Sequence, residues 1–200
     1  MPVSDLRILI VDNNALRASI IEAGLRESGH AAVTHVSDMT QLLRQVVDAN
    51  PDVVIIDLEN PNRDMIEHAL AVSRSVRRPI AMFVDRTDAA MTEAAIDAGV
   101  SAYVVDGLRK ERVKPIIDMA ISRFNAVERM RRDLDEARTE LSERKIVDRA
   151  KALLMRTRGL SEDEAYKLLR STAMNQSRKM SQVAESLIMA ADLLGGRGKA

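Results

Sequence analysis

The chain has 200 residues, 46% hydrophobic and 30% charged, enough to bury one large or two small cores. No apolar run reaches the roughly 18 residues of a membrane span, the opening MPVSDLR lacks the basic-then-apolar order of a signal peptide, and the absence of cysteine excludes a disulfide framework, a cysteine zinc site and a thiol nucleophile. A cytoplasmic protein is expected. Thirty Lys/Arg balance thirty Asp/Glu, so any nucleic-acid contact needs a local basic patch, and two Phe with two Tyr argue against an extended single-strand stacking platform.

In chain order, residues 6–11 (LRILIV), 51–57 (PDVVIID), 79–84 (PIAMFV) and 101–105 (SAYVV) are short apolar runs that suit strands buried on both faces, with 31–36 (AAVTHV) a weaker strand candidate. Helical patterns fall between them at roughly 14–28, 38–49, 62–76 and 88–98. Gly29 and Gly99 sit where helix C-caps belong. The order βαβαβαβαβ followed by a fifth helix predicts a doubly wound α/β domain with five parallel strands over residues 1–122.

From about residue 109 the pattern is helical, with Pro115 tolerable only near the start of that helix. Val127, Met130, Leu134, Ala137 and Leu141 alternate spacings of three and four, a heptad seam that makes 123–143 a coiled-coil linker and the chain a homodimer. The alternative is one long helix packed against its own domain. Gly159 ends this helix, and Ser161 with Glu164 forms a capping box opening the next, which runs to about Ala173. Asn175 or Ser177 is the expected cap of a last helix closing near Leu194. Residues 144–194 thus read as an all-α three-helix module, and the glycine-rich, charged 195–200 as a disordered tail.

Two constellations carry chemistry. Ligands of a doubly wound sheet sit beyond the carboxyl ends of its strands, where Asp12, Asp57, Asp85 and Asp106 fall. Such a cluster suits a hard divalent cation and offers a carboxylate to a phosphoryl donor. The alternative is that these acids are helix caps or solvated loop charges, with Thr87 or Asp88 capping the helix after Asp85. The second constellation is electrostatic: between 144 and 179 ten Lys/Arg stand against four acids, a local excess of six positive charges in a neutral chain. That is the footprint a phosphate backbone requires, although a basic helical face is more commonly plain solvation. His30, His35 and His68 show no triad or metal spacing; the first two read as strand-edge residues and the third as helix surface.

VVIIDLE, ILIVDNN and the sheet pattern of residues 5–125 resemble the receiver domain of two-component response regulators. The resemblance implies Asp57 as phospho-acceptor, a Mg²⁺ site from Asp12, Asp57 and the Glu59 carbonyl, and Tyr103 as the aromatic switch. It also marks departures: Asn13 replaces a second acid, Val84 falls where a switch hydroxyl is usual, and Asp106 falls where a lysine is usual. An atypical receiver follows, controlled by a sensor kinase or, better, by a ligand-sensing partner protein. DRAKALLM, GLSEDEAYKLLRSTAM and VAESLI resemble the ANTAR domain, the RNA-binding output module of antiterminators, and the whole chain resembles the NasT-type nitrate-assimilation regulators. The family implies a dimer that binds paired hairpins in leader RNA and keeps a terminator from forming, with no enzymatic activity. Chemistry ranks Arg144, Arg149, Lys151, Tyr166, Arg170, Arg178 and Lys179 as RNA contacts. A DNA-binding response regulator and a protein-interaction module remain as rivals.

Overall fold

The computed structural model describes residues 6–38, 41–59, 63–105 and 109–195. They form two compact units, residues 1–128 and 129–200. In the first, β1 (Ile8–Val11), β2 (Val33–Val36), β3 (Val53–Leu58), β4 (Ile80–Val84) and β5 (Ala102–Val105) alternate with α1 (Ala15–Glu27), α2 (Leu42–Ala49), α3 (Arg63–Ser75) and α4 (Ala89–Asp97), and α5 (Lys110–Arg158) follows. The sheet is wholly parallel in the order β2-β1-β3-β4-β5, so the strand direction of growth reverses beside β1 and β3.

Successive side chains on a strand face opposite sides of a sheet, and the two cores follow that alternation. Leu9, Val11, Val54, Ile56, Met82 and Val84 pack with residues of α2, α3 and α4. Ile8, Ile10, Val53, Ile55, Ala81 and Phe83 pack with Ala18, Ile21 and Leu25 of α1 and Val113 and Ile117 of α5. Continued past the apolar run, the second set predicts that Asp12, Asp57 and Asp85 point toward the α1 side. Gly24 lets α1 and α5 approach: a Cβ there would lie 2.9 Å from the Lys110 carbonyl oxygen.

The helix signals map onto the structure closely. Asn14 caps α1, accepting from the Leu16 and Arg17 amides, Asp88 caps α4, and Gly29 and Gly99 adopt positive φ just beyond the ends of α1 and α4. The expected helix over 38–49 is observed as Leu42–Ala49; Met39 and Thr40 lie outside the described residues, as do Asp106 and all of the expected tail 195–200 except Gly195, which ends the last helix. His30 is not at a strand edge in the solvent-facing sense: it is buried, and neither ring nitrogen has a partner among the described residues.

In the second unit the end of α5 packs with α6 (Glu162–Asn175) and α7 (Met180–Gly195) around Val147, Ala150, Leu154, Ala165, Leu169, Ala173, Val183 and Ala184. Four of these eight are alanines, which lets the helix axes approach closely. Gly159 stops α5 at φ +69°, and the Ser161–Glu164 capping box is complete. The last helix starts later than expected, at Met180, and neither Asn175 nor Ser177 caps it; Ser177 sits at φ +50°, and the Arg178 amide donates back to the Ala173 carbonyl instead. No helix of the described residues is long and apolar enough to cross a membrane.

Candidate functional site: an arginine-filled receiver pocket and a basic helical module

Asp12, Asp57 and Asp85 do converge. Asp57 is the penultimate residue of the fully buried β3, opposite Phe83 of β4; Asp12 follows β1 and Asp85 follows β4. Asp12 and Asp57 are both buried. The Asp12 Oδ1 accepts from the Asn14 amide at 2.8 Å, while Oδ2 is buried without a partner among the described residues. Burial pushes the Asp12 carboxyl up to about 6; the Asn14 amide works against that and the neighbouring Asp57 adds to it. The Asn14 side-chain amide donates to Glu59 Oε2 at 2.8 Å, and His35 on the edge strand β2 places Nε2 2.8 Å from the Asp12 carbonyl oxygen.

The residue that sequence reasoning missed is Arg17. Its Nε donates to Asp57 Oδ2 and its Nη2 to Asp57 Oδ1, both at 2.7 Å, and its Nη1 reaches the two oxygens of Asp85 at 3.0 and 3.2 Å. One guanidinium thus closes a bidentate fork on the buried carboxylate and binds the half-exposed one as well. The two carboxylates hold Arg17 firmly protonated, with Asp57 the larger influence. Removing one member of a buried pair leaves an uncompensated charge, typically at ~3–5 kcal/mol. The signal was present: Arg17, Ile21 and Leu25 repeat at i, i+4 and i+8, so a cation heads the inward stripe of α1.

This arrangement bears directly on Mg²⁺. The unpartnered Asp12 Oδ2 is an oxygen a hard cation could use. Asp57, however, has both oxygens engaged by Arg17, and the described residues contain no group of three ligating side chains set for a metal. With Arg17 seated, the pocket does not fit the ion. Asp106 lies outside the described residues.

Val84 is buried in β4, in register with Leu58 and Val105. The hydroxyl that reaches Tyr103 belongs to Thr87, whose Oγ1 lies 2.8 Å from the Tyr103 hydroxyl and 3.2 Å from the Thr92 hydroxyl. Asp88, not Thr87, caps α4.

The seven ranked RNA contacts separate into two groups. Arg144, Tyr166 and Arg170 are exposed, and neither arginine has an ion pair with the described residues. Tyr166, Arg170 and Met174 follow at intervals of four on the outer face of α6. Lys151 by contrast is held by Asp148 and Glu162, both at 2.8 Å, with only 16% of its side chain exposed. Arg149 lies 3.5 Å from Asp192, Lys179 3.0 Å from Glu143, and Arg178 donates to the Gln182 carbonyl and the Ser186 hydroxyl. The structure brings these four into the internal bonding of their own module.

Residues 8–118 match the response regulator receiver domain and residues 135–188 the ANTAR domain. The transcriptional regulatory protein PdtaR of Mycobacterium tuberculosis is 31% identical over 182 residues, covering 91% of this chain and 89% of PdtaR. The DNA-binding response regulator MtrA of Mycolicibacterium paratuberculosis is 28% identical over 136 residues, 68% of this chain and 56% of MtrA. Among solved structures, the signal receiver domain of a modulated diguanylate cyclase from Desulfovibrio desulfuricans superposes with a TM-score of 0.51 at 20% identity, covering 60% of this chain and 95% of that domain, a likeness of fold alone. A receiver fold in front and the ANTAR module behind, joined by one 49-residue helix, make this chain a member of the response regulators that carry an ANTAR RNA-binding domain, a non-enzymatic signalling family.

Proposed function

We propose that the chain is a cytoplasmic transcription antiterminator whose dimer binds paired hairpins in a leader RNA. The observation that carries this reading is the exposed Tyr166–Arg170–Met174 face of α6 on an ANTAR module. An aromatic ring able to stack on an unpaired loop base stands one turn from a cation that has no ion pair among the described residues. Arg144 adds a second exposed cation on α5, whereas Lys151 is held by two carboxylates, and Arg149, Arg178 and Lys179 keep exposed surface beside their partners within the unit.

Dimerisation is supported by the seam. Val127, Met130, Leu134 and Leu141 are all exposed large apolar side chains on one stripe of α5, and a second copy of the same stripe is what a heptad pattern pairs with. The reading keeps 1–122 as receiver, 123–143 as coiled-coil linker and 144–194 as the RNA module.

Control by a ligand-sensing partner protein, as in NasT-type nitrate regulators, suits the receiver better than control by a sensor kinase, because Arg17 already neutralises Asp57. Mg²⁺ enters this reading only as a ligand of the pocket after Arg17 has left, with Asp12, Asp57 and the Glu59 carbonyl as donors.

The test is to sequence RNA cross-linked to the protein in its host, then to measure binding of the recovered leader, intact and with either hairpin deleted, against duplex DNA of the same sequence. Salt-dependent preference for the two-hairpin RNA supports the reading; equal or better binding to duplex DNA overturns it in favour of a DNA-binding regulator.

A further inference from the structure

Arg17 is more than a fortuitous neighbour. Three carboxylates project from adjacent strands onto the α1 side of the sheet, and the head of α1 answers with one cation whose three nitrogens bond two of them, Asp57 and Asp85. For phosphorylation by an acyl phosphate a lone pair of an Asp57 oxygen must attack phosphorus as the P–O bond to the donor breaks and its carboxylate leaves, while a cation screens the approach. Here both Asp57 oxygens accept charge-assisted bonds at 2.7 Å, and the Asp57 side chain has no exposed surface. With the fork closed, the Asp57 side chain presents no surface to an incoming donor. Asp85, by contrast, keeps 36% of its side chain exposed, so the outer end of the triad faces solvent while the inner end is sealed.

We infer that Arg17 is the resident cation of this pocket. It holds Asp57 and Asp85 in a closed ion triad, and neither a divalent cation nor a small phosphoryl donor engages Asp57 until the guanidinium is withdrawn. Asp85 is the positioning residue of the device: it anchors the third nitrogen of the fork and fixes the plane in which the other two meet Asp57. Restoring an ordinary acidic pocket therefore requires losing one side chain, Arg17, not gaining a new ligand. The inference rests on the receiver half of the function proposed above and is read out without RNA, so failure of hairpin binding does not touch it, and its own failure does not touch hairpin binding.

The test uses the full-length protein and three variants, Arg17→Gln, Arg17→Ala and Asp85→Asn. Mn²⁺ is titrated while the amide signals of residues 12–14 and 57–59 are followed for paramagnetic broadening, and acetyl phosphate with Mg²⁺ is scored by intact mass. The wild type is expected to show no selective broadening and no stoichiometric modification. The two Arg17 variants are expected to bind Mn²⁺ about tenfold tighter or more, because a competing positive charge has left a low-dielectric site, and to accept phosphate at Asp57. Asp85→Asn should fall between. One measurement needs no Arg17 variant: the wild-type Arg17 Nε–H signal should be protected from solvent exchange and should lose that protection in Asp57→Asn, so the inference stays testable even if an Arg17 variant fails to fold. Equal Mn²⁺ affinity in wild type and Arg17→Gln, an unprotected Arg17 Nε–H, or faster modification of the wild type than of Arg17→Gln would each overturn it; the last result would make Arg17 a ligand of the phosphoryl group.

Discussion

The hydroxyls of Thr87 and Tyr103 lie 2.8 Å apart, and the same Thr87 oxygen is 3.2 Å from the Thr92 hydroxyl. The bond ties the loop after β4 to the middle of β5, with both residues half-buried. It also turns the Tyr103 ring toward the loop that follows Asp85, so the position of the aromatic ring and the position of the Arg17 anchor are set by one short segment.

Breaking this bond should loosen the receiver without touching the RNA module. Thr87→Val and Tyr103→Phe are each expected to lower receiver stability by about 1 kcal/mol, the usual net worth of a partly buried neutral hydrogen bond. The double variant should lose less than the sum of the two, since the second change removes a bond already gone. Urea unfolding of the four proteins measures this; additive losses would show that the hydroxyls do not act on each other.

Asp12 gives a pH dependence of a definite sign. Its carboxyl titrates near 6 in the folded protein, above its ordinary value of 3.8, because burial penalises the charged form. The folded state therefore binds this proton more tightly than the unfolded state. The stability it lends is complete below about pH 4 and is lost as the pH climbs through 6. Asp12→Asn, which keeps an acceptor for the Asn14 amide, should be the more stable protein above pH 6, by up to about 3 kcal/mol, and should lack the decline between pH 4 and 6. Thermal unfolding in a pH series, with wild type and variant side by side, would expose a shared slope if Asp12 were not responsible.

Much of this was legible in the sequence, for reasons specific to each element. The strands of the sheet stand out because a doubly covered parallel strand cannot hide its apolar run, as in VVII before Asp57. Gly159 and the Ser161–Glu164 box stand out because each satisfies orphaned backbone groups at a helix end by local chemistry. What did not emerge is long-range. Arg17 lies 40 residues from Asp57 and 68 from Asp85, and only the folded register shows that all three share one side of the sheet. Lys151 shows the same limit: its basic character is plain in the sequence, but Glu162 is eleven residues away, across the turn at Gly159, and that pairing is invisible until the turn is built.

The apolar stripe on α5 makes a claim about assembly. Met130, with 62% of its surface exposed, and Leu134, at 50%, are costly to leave in water and lie at the centre of the seam. Leu134→Glu should weaken self-association, placing like charges opposite each other in any parallel pair. If two modules share one leader, affinity for two linked hairpins should then fall by about a hundredfold while affinity for a single hairpin stays the same. Sedimentation velocity and paired titrations with one- and two-hairpin RNA separate the outcomes. A monomeric wild type, or equal losses on both RNAs, would remove the seam from the mechanism.

Within the module, the internal ion pairs set an order among the basic residues. Tyr166 and Arg170 are exposed on α6, so they can meet RNA without first breaking a bond inside the protein. Lys151 must surrender Asp148 and Glu162, and Lys179 must surrender Glu143. Arg170→Ala is accordingly expected to weaken hairpin binding and to reduce the slope of log affinity against log salt by about one, the signature of a lost phosphate contact. Tyr166→Ala should cost about 1–3 kcal/mol of affinity with an unchanged slope, as loss of base stacking would. Lys151→Ala should move affinity and slope less than Arg170→Ala does, because its charge is already spent on two carboxylates that its removal frees. Those two acids then add negative charge near the RNA, so any loss should shrink again in Lys151→Ala combined with Glu162→Gln. A Lys151→Ala slope change as large as that of Arg170→Ala, undiminished in the double variant, would mean that the lysine leaves its partners for the phosphate backbone and that ion pairing within the free module does not rank its RNA contacts.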